Sequence, residues 1–141
     1  DEALAGYANQ VDVRILPVGG APVAGLRAGL GDTWARTTLL VATEFGRTAA
    51  ANGTGGTDHG TGAVALLLGG RVQGARVLAD WPGRDTAALL YGRDLRPTLG
   101  LDALIARAAA ESFGLDPERL GRQLFARGAV AEPLREPLLR G

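Results

Sequence analysis

A chain of 141 residues, 46% of them hydrophobic, is one domain's worth and has enough apolar content for a core, which excludes a disordered tail. Fifteen acids balance fifteen bases, every base is an arginine, and the bases are scattered, so neither a nucleic-acid stripe nor a polybasic membrane patch is indicated. Cysteine is absent, which removes disulfides and thiolate metal sites, and no apolar run reaches the roughly 18 residues of a membrane span.

In chain order, Val11 to Val18 alternates enough for a strand that Pro17 limits to an edge or an end. Pro22 to Trp34 carries Val23, Leu26, Leu30 and Trp34 at helical spacing, which predicts a helix with Trp34 in its core-facing stripe. Gly25 and Gly29 weaken it by about 1 kcal/mol each relative to alanine. The run Thr37 to Val41 reads as a buried strand, and Ala63 to Leu68 (AVALLL) as a second, fully buried one. A turn at Gln73-Gly74 and a short strand over Arg76 to Ala79 follow, before Asp80-Trp81-Pro82-Gly83 breaks the chain, with Trp81 expected as a packing anchor. Leu101 to Phe113 has an apolar stripe and Gly114 as its stop, and Asp116 with Pro117 starts a short helix that presents Leu120, Leu124 and Phe125. Both helices are expected to pack on the sheet. The tail from Ala129 to Gly141, with Pro133 and Pro137 among leucines, should lie extended against the body without regular structure. Two buried strands flanked by helices argue an α/β fold.

Chemistry is expected between Thr43 and Gly62. The strand that starts at Thr37 ends on Thr43-Glu44-Phe45-Gly46-Arg47, where polar side chains suddenly appear, and it feeds a loop in which five of the ten residues from Gly53 to Gly62 are glycine. Asp58 and His59, the only histidine, sit in the middle of that loop. The plainer reading of Asp58-His59 is a hydrogen-bonded loop brace, and that of Glu44 with Arg47 is a salt bridge between strand end and loop.

The order TEFGRT, NGTGGTDHG, an apolar strand ending LGG, RVQGARVLADWPG and GRDL resembles the C-terminal part of the domain-of-unknown-function family 1501, a bacterial branch of the alkaline phosphatase and sulfatase-like superfamily. The likeness runs over residues 28–141, while residues 1–27 match poorly. Methionine is absent, even at position 1, and the expectation is a fragment or processed form of a longer parent. The resemblance implies a partial alkaline-phosphatase-like sheet, mainly parallel and flanked by helices, and a periplasmic or secreted parent carrying a twin-arginine signal, although this chain holds no signal. It further implies a divalent cation (zinc, calcium, magnesium or manganese) held by His59, Asp58 and Glu44, with Arg47 as the catalytic group that steadies a phosphate or sulfate ester and Thr48 and Thr57 as helpers. Phosphatases and sulfatases typically end the strand equivalent to Thr37–Val41 in Asp-His, where this chain has Glu44-Phe45. Phe45 cannot ligate a metal, so a second cation site is incomplete, and no nucleophile is evident. Two functions follow: a metal-assisted ester hydrolase in the parent, this chain alone being inactive, or a degenerate non-enzymatic domain that binds an anionic ligand or a protein partner. Unpaired sheet edges would favour self-association.

Overall fold

A computed structural model describes residues 21–125 and 133–140. The strand expected over Val11 to Val18, and the first part of the expected extended tail, lie outside the described residues.

Helix α1 spans Ala21–Leu30 and passes into a 3-10 turn at Gly31–Arg36. Gly31 takes a φ of +50°, a conformation most side chains avoid, so the α-helix stops there and Trp34 lies in the 3-10 turn rather than in the α-helical stripe expected of it. The half-buried Trp34 still anchors the chain, because its carbonyl accepts the amides of Thr37 at 3.1 Å and Gly70 at 3.1 Å. Four short strands follow: β1 at Thr38–Val41, β2 at Gly46–Arg47, β3 at His59–Gly60 and β4 at Leu66–Gly69.

The expectation of a mainly parallel sheet is corrected here. Among the described residues, β1 pairs antiparallel with β4 (Thr38 opposite Gly69, Val41 opposite Leu66), and β2 pairs antiparallel with β3 (Gly46 opposite Gly60, Arg47 opposite His59). Parallel neighbours need a crossover, usually helical, that returns the chain to the same end of the sheet. Residues 42–65 contain no helix and double back on themselves instead. The two ladders are therefore nested halves of one long hairpin. Four residues (42–45) separate β1 from β2 on the outgoing arm and five (61–65) separate β3 from β4 on the return, a one-residue offset of the kind a bulge introduces.

Glycine lets the two arms close. A Cβ at Gly46 would lie 1.6 Å from the carbonyl oxygen of Gly62, and one at Gly69, where φ is +145°, would lie 2.0 Å from the carbonyl oxygen of Thr37. The ladder also alternates its faces, so AVALLL is not buried throughout: Ala65 and Leu67 face the core, while Val64 is 42% exposed. Leu68 looks the other way, onto a cleft shared with Val23, Ala28 and Trp34.

Helix α2 occupies Leu101–Phe113 as expected, and Gly114 closes it in the left-handed conformation at φ +67°. Its buried side consists of Leu104 and four alanines, Ala103, Ala106, Ala108 and Ala110, the alanines small enough for neighbours to approach closely. Helix α3 spans Pro117–Leu124, with Pro117 in its first turn and the Asp116 carboxylate capping the Arg119 amide at 2.7 Å. It packs on α2 rather than on the sheet, and Phe125 beyond its end reaches the core. The Ser112 hydroxyl donates to the Ala108 carbonyl at 2.7 Å and accepts from the Thr38 hydroxyl at 3.0 Å, which joins α2 to β1.

One core unites Ala65 and Leu67 from the hairpin, Ala103, Leu104, Ala106 and Ala108 from α2, and Leu134, Leu138 and Leu139 from the tail. The described tail has no regular element, in keeping with its prolines, beyond a bridge between Leu139 and Val72. Residues Arg76 to Ala79 form no strand, and Trp81 is 51% exposed rather than a buried anchor. Phe113, Leu115, Val77 and Leu124 are also exposed. No helix among the described residues is long and apolar enough to cross a membrane.

Candidate functional site

The far half of the hairpin carries the expected site. Arg47 on β2 stands directly opposite His59 on β3, and opposed residues of an antiparallel pair project to the same face. Phe45, two residues before Arg47, joins them there, its ring stacked on the His59 imidazole with centroids 4.6 Å apart and planes 17° from parallel. Arg47 is not loose. Its Nε donates to Thr57 Oγ1 at 2.9 Å and its Nη2 donates to the Thr57 carbonyl, which takes two of the five donors of a guanidinium and leaves the remainder outward. Glu44 is exposed in the short connection between β1 and β2, where the Thr43 hydroxyl donates to the Phe45 carbonyl at 2.9 Å and shapes the turn.

Asp58 goes elsewhere. Neighbouring residues on a strand project to opposite faces, and the Asp58 carboxylate accepts from Asn52 Nδ2 at 2.9 Å and lies 3.7 Å from Arg93 Nη2. Both members of that ion pair are about half exposed, so its electrostatic contribution is small.

The loop between the strands is built by two side chains that carry no chemistry of their own. Asn52 Oδ1 accepts from the Thr54 amide at 3.1 Å, the Thr54 hydroxyl at 2.8 Å and the Gly56 amide at 2.9 Å, which holds the glycine-rich tip in one shape. Thr48, buried to 6% exposure, donates its hydroxyl to the Ala50 carbonyl at 2.9 Å and accepts the Asp58 amide at 3.2 Å. A second, smaller turn braces the loop from outside: the Arg93 carbonyl accepts the Ala49 amide at 2.8 Å and the Ala50 amide at 3.3 Å. Next to it, Asp94 accepts from Arg93 Nε at 3.1 Å and from the Thr61 hydroxyl at 3.2 Å.

Arg47 and His59 are thus brought together, Phe45 is added to them, and Asp58 faces away. Asn52, Arg93 and Asp94 carry no sequence expectation, although Asn52-Gly53 is a turn dipeptide and Gly92 to Leu95 belongs to the GRDL segment. The donor set implied for a divalent cation does not fit as a complete chelate. Among the described residues no group of three or more histidine, aspartate or glutamate side chains converges so as to hold a metal. Among the described residues, clefts that border α1, α2, the 77–80 segment and the 84–92 turn are not lined by Glu44, Arg47, Asp58 or His59.

The model of a family described as a protein of unknown function (DUF1501) matches residues 7–124. No curated protein and no solved structure matches the chain.

Proposed function

Since the chain belongs to the DUF1501 family of proteins of unknown function, we propose that it is a non-catalytic member that holds a small oxyanion at the exposed face of β2 and β3. The observation that carries this reading is the stacking of Phe45 on His59 beside an Arg47 already fixed by Thr57. The stack covers one face of the imidazole, and Phe45 offers no ligand atom where a cation would need one. A guanidinium clamped on one side and open on the other suits a phosphate or sulfate group, which accepts parallel N–H bonds from such a fork. The site is shallow and open, so affinity should be weak and fall with added salt, as screening of exposed charges requires.

A second reading has its own support. Arg47 and His59 stand opposite one another at the end of the hairpin, an arrangement that a cation-dependent phosphate or sulfate ester hydrolase of the alkaline phosphatase-like superfamily could use. His59 and Glu44 would then be two of its ligands, others coming from outside the described residues, with zinc, calcium, magnesium or manganese as candidates.

One set of measurements separates the two. Inorganic phosphate, sulfate and 4-nitrophenyl phosphate are titrated into the chain while amide shifts of β2 and β3 are followed, and zinc binding and 4-nitrophenyl ester turnover are measured alongside. Anion-dependent shifts that disappear in Arg47→Ala, with no turnover, support the non-catalytic reading. Stoichiometric zinc that is lost in His59→Ala, or metal-dependent turnover, would replace it with the hydrolase.

A further inference from the structure

The glycine-rich tip surrounds one side-chain carbonyl with donors and leaves the neighbouring main-chain amide without a partner. Asn52 Oδ1 accepts from the Thr54 amide at 3.1 Å, the Thr54 hydroxyl at 2.8 Å and the Gly56 amide at 2.9 Å. Two of these donors are main chain, in a segment clipped at both ends. The Asn52 amide donates to the Gly56 carbonyl at 2.8 Å, and the Gly55 amide donates to the Asn52 carbonyl at 3.1 Å. Asn52 Nδ2 donates to Asp58 Oδ1 at 2.9 Å, so the side-chain amide is held with its oxygen toward the donors and its nitrogen toward a carboxylate.

Gly53 comes next in the chain. Among the described residues its N–H has no hydrogen-bond partner, and a Cβ built on it would meet nothing within 4 Å, so this peptide unit has room to turn. Because Oδ1 bonds to the amide two residues on, the Asn52 side chain is folded over the Asn52-Gly53 peptide, with Cγ on the side of the Gly53 nitrogen. Fixed donors around a carbonyl oxygen stabilise the negative charge that grows there when a nucleophile adds to its carbon. They stabilise that charge more than they stabilise the neutral amide.

We propose that Asn52 is a self-modification site, at which the fold promotes closure of Asn52-Gly53 to a succinimide. The Gly53 nitrogen bonds to Asn52 Cγ, the carbonyl electron pair moves onto Oδ1, and its return breaks the bond from Cγ to Nδ2. The proton lost from Gly53 passes through solvent to the departing nitrogen, which leaves as ammonia. Water then opens one of the two imide C–N bonds and gives aspartate or isoaspartate; nothing is oxidised or reduced. In either product a carboxylate replaces the group that donated to Asp58 at 2.9 Å, so attraction becomes repulsion between like charges. Isoaspartate also adds a methylene to the main chain. The tip, and with it the loop that leads into His59, loosens as the molecule ages.

The test incubates the full chain at neutral pH and digests samples with trypsin. The fragment of residues 48–71 is resolved by mass spectrometry into asparagine, succinimide, aspartate and isoaspartate forms, with the zero-time digest subtracted. A synthetic peptide of the same residues reports the reaction without the fold. The folded chain should convert several-fold faster than the peptide. Thr54→Val removes the hydroxyl donor and should slow the folded chain about fivefold, the loss of one hydrogen bond to the developing oxyanion. Thr54→Ser should restore the native rate, and the same Thr54→Val change in the peptide should have little effect. Amide exchange across α2 confirms that each variant is folded, and the comparison of native chain with peptide stands by itself if Thr54→Val fails that check. Conversion no faster in the folded chain than in the peptide, or a folded Thr54→Val chain that converts at the native rate, would overturn the proposal.

Discussion

The two ends of the hairpin are stabilised by different physics. At the near end, β1 and β4 lie beside an alanine-rich helix and three tail leucines, and stability there comes from apolar surface removed from water. At the far end, from Phe45 to Gly62, Thr48 is the buried side chain, and shape comes from hydrogen bonds of Asn52, Thr48 and Arg47 to nearby main chain, with glycines where the arms touch. Packing is cooperative across the whole core, whereas short-range polar bonds to exposed backbone hold locally and open locally. A binding face placed at the far end can adjust to a ligand without disturbing the core.

The strongest way to break that contrast is at its apolar end. Leu104 on α2 is completely buried, and Leu104→Ala should cost about 2–5 kcal/mol in urea denaturation, lowering stability for the whole chain. Gly46→Ala attacks the junction instead. The added methyl meets the Gly62 carbonyl at a distance no contact tolerates, so the arms must separate, at about 1–3 kcal/mol by analogy with overpacking. Amide exchange should rise sharply at Thr48, whose N–H bonds the Asp58 carbonyl at 3.1 Å, while α2 keeps most of its protection. Equal loss of protection in α2 would show that the two ends form one cooperative unit after all.

Asn52→Ala is a smaller and more local change. It removes three accepted hydrogen bonds and one donated bond, all four exposed, so the cost should be about 1 kcal/mol and confined to the loop. Faster exchange at the Thr54 and Gly56 amides, with a urea midpoint lowered by no more than that cost implies, is the expected result. A large shift in that midpoint would mean the polar end supports the core.

The same contrast decides what could be read from the sequence. Helices α2 and α3 are legible because their signals are local: an apolar stripe with Gly114 as a stop, and Asp116-Pro117 as a start. Strands β1 and β4 were legible as strands, but their direction was not, since AVALLL fits a buried parallel strand as well as one side of a hairpin, and only the helix-free stretch between them decides. In the site, the strand end and the loop drew attention to Arg47 and His59, whereas their cross-strand pairing and the opposed directions of Asp58 and His59 follow from a register that no single motif prints. At Trp81 and Arg76 to Ala79 hydrophobic content alone does not say whether a partner covers the side chain, and both Trp81 and Val77 are about half exposed. Glu111, Gln73 and Arg76 hold main-chain groups of residues 137–139, a segment more than 25 residues away from each, a distance at which sequence pattern carries no signal.

The smallest predicted effect has the opposite sign. Tyr91 has a φ of +54° and Gly92 one of +69°, in a tight turn where the Leu90 carbonyl accepts the Arg93 amide at 3.2 Å and the Asp94 amide at 3.0 Å. Positive φ at both central positions is the pattern that Asn-Gly fills readily, and a tyrosine there carries about 1 kcal/mol of backbone strain. Its ring gives little in return, being 85% exposed. Tyr91→Asn should therefore stabilise the chain by up to about 1 kcal/mol in urea, since asparagine tolerates the left-handed region and no buried contact is lost. The turn also presents the Arg93 carbonyl to the amides of Ala49 and Ala50, so relaxing it should steady the loop that carries Asp58 and His59, seen as slower exchange at those two amides. Destabilisation by Tyr91→Asn would mean that the tyrosine ring makes a contact within the chain worth more than the strain of its positive φ.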